Sequence, residues 1–423
     1  MALAFYKEDL GDGIHFTSIT DTRFKTNFMA VYLITELAAQ TAAENAVIPL
    51  VLSKSSAAYP SVTEINKKLS ELYGAFLNGD VAKLGDSQAA VLTASCIADA
   101  YTLGGEKITG ELTDVLLGCL LSPNLDNGVF AAKNFELNKQ ELLDDIDAEI
   151  NDKRTYAMLR AGKTVYRGEP ASITAHGDRE NAETLTASSA YARYKELLRT
   201  ARIEIFFVGG GDPEDAKTRF AKAFSSLERD YKAVYTSAKS PLKPTPEDVT
   251  ETLDIAQSKM VMAFKTGCTD TPAMKLLNAI FGQTPFSKLF TNVREKLSLC
   301  YYCASAFDDR KGILLVDSGV EKENIEKARV EIINQLNEVA GGNFTDEEMA
   351  DSALSLVNSF RAINDSPYTI ATWYLRQAYN GTDFSPKQEI ERIRAVTRED
   401  VIAAAKSLAL DTVYVLTKKG GEQ

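Results

Sequence analysis

Histidine is the scarcest of the chemically useful residues in this chain of 423: His15 and His176 are the whole supply. Neither has a partner at metal-ligand spacing. His15 falls in an apparent N-terminal strand whose acidic neighbours are only Asp12 and Asp21, and His176 falls in a Ser/Thr/Gly-rich loop. Both read as surface or hydrogen-bonded side chains, since a lone histidine rarely ligates metal. The same scarcity argues against a Ser-His-Asp triad, and no Gly-x-Ser-x-Gly elbow is present. Cysteine is also thin: Cys96, Cys119, Cys268, Cys300 and Cys303 are odd in number and widely scattered. That excludes a disulfide framework and fits a reducing cytoplasm. No apolar run approaches the roughly 18 residues that span a bilayer. The opening Met1-Ala-Leu-Ala-Phe-Tyr-Lys7 lacks a basic stretch followed by an apolar one. A cytoplasmic protein, neither secreted nor membrane-inserted, is expected.

What is present is ordinary for a globular protein: 45% hydrophobic and 25% charged residues. Acidic residues outnumber basic ones 59 to 47, a formal charge of −12. Such a surface repels phosphate backbones, so nucleic acid is not an expected partner. A basic peptide suits it better, although the charge also serves plain solubility.

The clearest break is Ser237-Ala-Lys-Ser-Pro-Leu-Lys-Pro-Thr-Pro246, whose three prolines continue neither a helix nor a central strand. It suggests an N-terminal domain over 1–236, a linker over 237–250 and a C-terminal domain over 251–423. Each half follows one order of elements: strand, two helices, strand pair, several helices, strand. In the first half these are strands over 27–34, 75–84, 89–97 and 202–208. In the second they are strands over 259–264, 299–307, 312–318 and 412–417. No residue-level identity links the halves, so the repeat rests on pattern. The expected class is α+β: two tandem similar domains, each a mainly antiparallel sheet packed with helices.

Three short motifs are accounted for without chemistry. In Cys300-Tyr-Tyr-Cys303, strand positions i and i+3 face opposite ways, so the thiols are expected to pack in the core rather than meet. Gly209-Gly-Gly-Asp-Pro213 lacks the third glycine of a dinucleotide loop, and Asp212 with Pro213 reads as a helix start. Trp373-Tyr374 reads as helix packing.

The most informative stretch is Phe286-Ser-Lys-Leu-Phe-Thr-Asn-Val-Arg-Glu-Lys-Leu-Ser-Leu-Cys-Tyr301. It reads as a helix running into a strand, with Arg294 near the helix end and Tyr301 at the strand start. Such a corner can aim a guanidinium and a phenol at one carbonyl, the need of amide hydrolysis. Taken alone, the same residues also read as a C-terminal helix cation and a strand aromatic. The stretch resembles the C-terminal-domain motif of the pitrilysin/insulinase family of zinc peptidases, in the branch of the mitochondrial processing peptidases. That motif carries Arg-Glu-Lys and then Leu-x-Tyr; Gly282 and Ser287-Lys-Leu-Phe290 also fit. The resemblance covers nearly the whole chain, since the family has two similar α+β domains in tandem, half of a peptidase clam shell. It implies that Arg294 and Tyr301 contact a substrate backbone and support the transition state.

The family's other half is an inverted zinc motif, His-x-x-Glu-His, on a first-domain helix. The corresponding stretch here is Glu44-Asn-Ala-Val-Ile-Pro-Leu-Val-Leu-Ser-Lys54. It puts Ala46, Pro49 and Leu50 at the three motif positions, and none can ligate metal or carry a proton. The acidic group Glu141, Asp144, Asp145, Asp147 and Glu149, where relatives keep a third ligand, then reads as a solvated helix face. The resemblance therefore implies no zinc in this chain. It implies a bacterial, non-zinc-binding subunit whose Arg294 and Tyr301 complete the zinc site of a same-fold partner acting on a peptide. Residues 75–81 would offer that peptide a sheet edge. A catalytically inactive scaffold or peptide-binding protein is the alternative, and a homodimer stays open.

Overall fold

The computed structural model describes residues 4–233 and 237–419. The first half of the chain forms β1 (Ala4–Gly11), β2 (Ile14–Thr20), β3 (Thr26–Glu36), α1 (Ala39–Lys54), α2 (Val62–Glu71), β4 (Phe76–Leu84), β5 (Ser87–Ile97) and α3 (Ile108–Leu121). A two-residue ladder, β6 (Leu125–Asp126) with β7 (Val129–Phe130), follows. Then come α4 (Ala132–Ala148), α5 (Lys153–Val165), α6 (Arg179–Thr184), α7 (Ala187–Thr200), β8 (Arg202–Gly209) and α8 (Glu214–Phe224). The second half forms β9 (Glu247–Leu253), β10 (Ser258–Lys265), α9 (Thr271–Asn278) and two π-helical pieces, Ala279–Gln283 and Leu289–Lys296. It continues with β11 (Cys300–Asp308), β12 (Ile313–Val320), α10 (Ile325–Ala340), α11 (Asp346–Ala362), α12 (Pro367–Tyr379), α13 (Pro386–Arg394), α14 (Arg398–Lys406) and β13 (Ala409–Lys418).

The expected repeat holds for five strands of each sheet, and β1 is an extra strand on the first. One sheet runs β1-β2-β8-β3-β5-β4 and the other β9-β13-β10-β12-β11. Each has one parallel pair (β2 with β8, β13 with β9), with four antiparallel pairs in the first sheet and three in the second. The central strands are apolar because both faces are covered: residues 27–34 of β3 are all buried. Helix starts are written locally. Thr345 with Glu348, Ser385 with Gln388 and Thr397 with Asp400 form reciprocal capping boxes.

The chain divides into two compact units that do not follow the sequence halves. One takes Met1–Asp147, Ile173–Thr236 and Asp365–Gly381; the other takes Ala148–Ser172, Ser237–Asn364 and Thr382–Gln423. Helix α5 thus covers β10 and β13, and α12 covers β3 and β8, the equivalent strands of the other sheet. Small residues at helical spacing, Ala157 and Ala161, let α5 lie close against Val261, Tyr414 and Leu416. Helix α12 buries Ile370, Ala371, Tyr374 and Leu375.

Both helices end on cations paired with buried carboxylates. Lys265 donates to the Val165 carbonyl (2.9 Å) and Lys243 to that of Thr164 (2.9 Å), beside the fully buried Asp411. Arg202 donates to the Ala378 carbonyl (3.0 Å) and pairs with the fully buried Glu204 (2.6 Å). These cations satisfy carbonyls that a helix end leaves without partners.

Three elements escaped the sequence reading. Strand β1 is largely exposed, β9 is an edge strand of alternating burial and polar composition, and α13 has only Ile390 and Ile393 as apolar anchors. Strand β9 starts at Glu247, so the stretch expected as linker to residue 250 is already sheet at its end. At the triglycine, Gly211 donates to Asn27 (2.9 Å) and Asp212 accepts from the Glu214 amide (3.0 Å), which is packing and capping as expected.

Candidate functional site

Helix α1 carries the positions where the family motif would stand. Ala46 and Pro49 are buried, and Leu50 packs on the core of its unit. Around Pro49 lies a cavity of about 10 Å³ walled by Val31, Leu33, Ile48 and other hydrocarbon. It offers neither a ligand atom nor a polar partner for water. Asn45, next to the first of these positions, is buried and spent internally. It donates to Gln88 (2.8 Å) and accepts from Arg193 (2.7 Å). Burial raises the Glu44 carboxyl above its ordinary value, with Arg193 offsetting part of the effect. Glu141, Asp144, Asp145 and Asp147 are exposed, and Glu141 lies 3.7 Å from Lys54. Zinc does not fit this helix: three hydrocarbon side chains stand where two imidazoles and a carboxylate would be needed. Among the described residues no group of three or more His, Cys, Asp or Glu could hold a metal ion.

His15 has a partner that the sequence did not reveal. It stands opposite Glu204 across the β2–β8 pair, with Nδ1 3.1 Å from the carboxylate. Burial alone would raise Glu204, but His15 and Arg202 outweigh it and hold the carboxyl below its ordinary 4.5.

Arg294 and Tyr301 do come together. Both line one surface depression of about 440 Å³, with Ser298, Cys300, Glu321 and Asn324. The corner is built by departures from regular geometry. Residues 289–296 wind as a π-helix, and the Leu297 amide bonds the Asn292 carbonyl (3.0 Å). Ser298 then takes the left-handed conformation (φ 49°), rare for a residue with a Cβ, and the Leu299 amide closes back on Val293 (3.0 Å). Widened helix turns of this kind gather at functional sites. Below the corner, a Cβ on Gly282 would meet the Ser305 hydroxyl at 2.4 Å, so only glycine lets the helix approach β11 this closely.

Tyr301 is the extra residue of a β-bulge. Cys300 pairs with Val320 and Tyr302 with Gly319, leaving Tyr301 without a ladder partner on the edge strand. Its side chain is 60% exposed. A hydrogen bond to the Glu321 carboxylate raises the phenol above its ordinary value. Arg294 is partly exposed, lies 3.4 Å from Glu295 and stacks 4.6 Å over the Phe290 ring.

The bulge overturns one sequence reading. Cys300 and Cys303 do not face opposite ways: Cys300, Cys303 and Ser305 are all buried, while Tyr301 turns out. One inserted residue resets the two-residue alternation, so both thiols lie on the same buried face. Sequence reasoning also missed Glu321. It follows Val320, the partner of Cys300, so only the register of the β11–β12 hairpin brings it to Tyr301.

Comparison with known proteins agrees with this architecture. Residues 184–356 match the family described as Peptidase M16 inactive domain. Over 404 residues the chain is 27% identical to "Probable inactive metalloprotease YmfF" of Bacillus subtilis (strain 168), covering 95% of this chain and 94% of that one. The crystal structure of a conserved protein from Enterococcus faecalis V583 superposes with a TM-score of 0.89 at 26% identity, over 99% of this chain and 100% of that chain. The structure of a peptidase M16 inactive domain from Pseudomonas fluorescens superposes at 0.81 with 17% identity, over the whole of both chains. The chain is thus similar over residues 184–356 to the family described as Peptidase M16 inactive domain, and over nearly its whole length to a relative named a probable inactive metalloprotease. The match agrees with the expectation that it is not a zinc peptidase by itself.

Proposed function

We propose that this chain is the non-zinc-binding subunit of a two-chain zinc metallopeptidase, supplying Arg294 and Tyr301 to the active site of a same-fold partner. The observation that carries the reading is the shared depression at the π-helix-to-strand corner, which both side chains line. The partner's zinc centre would activate the water. When a peptide carbonyl turns tetrahedral, negative charge gathers on its oxygen, and two donors aimed there lower the barrier. Arg294 offers a permanent cation. Tyr301 would supply its hydroxyl, which shares the depression with Glu321. Substrate entry would exchange Glu321 for the carbonyl. Strand β4, the edge of its sheet, would take the peptide as an added strand. A soluble cytoplasmic setting is part of this reading; no helix among the described residues is long and apolar enough to cross a membrane.

The test is cleavage of a quenched peptide library by this chain mixed with a same-fold, zinc-motif chain from the same genome. Activity should appear only in the mixture. Arg294→Ala should lower it by about 10²–10³ while leaving assembly intact by gel filtration. No complex and no gain in activity would sink the proposal. A second reading, a catalytically inactive scaffold or peptide-binding protein, is favoured by one observation: both polar groups already have partners, Glu321 for Tyr301 and Phe290 with Glu295 for Arg294. An assembled complex indifferent to Arg294→Ala would decide for it.

A further inference from the structure

The bulge that aims Tyr301 outward also puts both cysteines of the segment on the buried side of β11. We propose that Cys300 and Cys303 form an oxidisable dithiol whose conversion to a disulfide resets the Tyr301 bulge. Three observations converge. The register shift between Cys300 and Tyr302 puts both cysteines on the buried face of β11, and both are free thiols. Cys300 borders the depression lined by Arg294 and Tyr301, giving small oxidants a way in, while Cys303 lies behind it at 4% exposure. The two thiols differ in acidity. The Cys303 hydrogen bond and the Arg294 charge outweigh burial and lower Cys300, whereas the Cys300 contact and burial raise Cys303. One thiol is therefore the nucleophile and the other the resolving partner. With two sulfurs and no third ligand among the described residues, a metal centre is not the better use of the pair.

The oxidant class is a peroxide. The Cys300 thiolate attacks one oxygen of hydrogen peroxide, giving a sulfenic acid and, after protonation, water. The Cys303 sulfur, its proton passing to solvent, then attacks the sulfenic sulfur, forms the S–S bond and releases a second water. Two thiols lose two electrons and the peroxide gains them. A disulfide needs its Cα atoms within about 7 Å, and three strand residues can span up to about 10 Å when fully extended. Closing the bridge therefore requires the strand to contract at the bulge, which displaces Tyr301. A bond made against the ladder is strained and readily reduced, the behaviour of regulatory disulfides.

The experiment uses the intact purified chain, treated with hydrogen peroxide, alkylated and digested with trypsin. Residues 297–310 lie between Lys296 and Arg310 and contain both cysteines and no other. The expected product is this peptide lighter by two hydrogens, resistant to alkylation until reduced. Cys96 and Cys119, buried and pushed up to about 11 and about 12, should remain thiols. In the oxidised chain, amide exchange across 299–303 should lose protection. Cys303→Ser should leave a dimedone-reactive sulfenic acid on Cys300 and no linked peptide. An unlinked peptide at peroxide levels that give Cys300 sulfenic acid, or unchanged amide exchange after linkage, would overturn the proposal. The assay needs neither partner nor substrate, so its failure and that of the peptidase reading are distinguishable.

Discussion

The two units share a sheet order and differ at the segment after the first long strand. In one, β3 leads into α1, an unbroken helix whose key positions are hydrocarbon. In the other, β10 leads into α9 and two π-helical pieces, a left-handed serine and a bulge. Regularity in the first goes with a sealed core; irregularity in the second goes with an open depression that holds polar groups. The lesson is that a repeated scaffold can lose chemistry in one copy by filling it with carbon, while the other keeps backbone geometry that packing alone does not require.

A second contrast lies in the buried ions that hold α5 and α12. Both sheets pair a buried carboxylate with a cation, but one uses lysines and the other arginine. Glu204→Gln strands the Arg202 cation, so it should cost about 3–5 kcal/mol near neutrality. Asp411→Asn should cost about as much, since the buried Lys265 then loses its carboxylate partner. Urea denaturation at neutral pH reads both, and a loss at one site alone would break the comparison.

Glu204 also gives a smaller acid signature. Its pKa is lowered on folding, so the unfolded chain binds the proton first. Its contribution is fully present above the ordinary 4.5 and is lost as pH falls through the folded value. Glu204→Gln should flatten the stability slope below that point, measured as Tm against pH; an unchanged slope would place the linkage elsewhere.

The sealed copy should resist even one carbon. A Cβ on Gly79 of β4 would sit 1.9 Å from the Pro49 carbonyl oxygen. Gly79→Ala should therefore cost about 1–3 kcal/mol, as overpacking does. A Tm equal to the parent would mean that α1 is less tightly held against β4 than drawn here. The smallest effect belongs to a surface cap: Thr345→Ala removes one half of the α11 capping box and should cost about 1 kcal/mol without touching either site.

Much of this protein was legible in its sequence. The two-fold order of elements follows from hydrophobic periodicity, because a strand buried on both faces has to be apolar along its length. The lack of metal ligands at Ala46, Pro49 and Leu50 was legible because none of the three carries a donor atom whatever its surroundings. Arg294 and Tyr301 were legible as a spacing. Strand β9 was not, because an edge strand needs few apolar residues and its polar sequence resembles a linker.

Composition and local pattern therefore determined the class, the repeat and what the chain cannot bind. Tertiary structure decided which half of the chain supplies the helix over each sheet, since α5 and α12 have the same kind of apolar stripe and only packing selects the receiving strands. It also decided that Glu204 meets His15, that Glu321 holds the Tyr301 hydroxyl, and that Cys300 and Cys303 share a face. Those contacts depend on strand register and on one inserted residue, and a single step of register turns every following side chain to the opposite face.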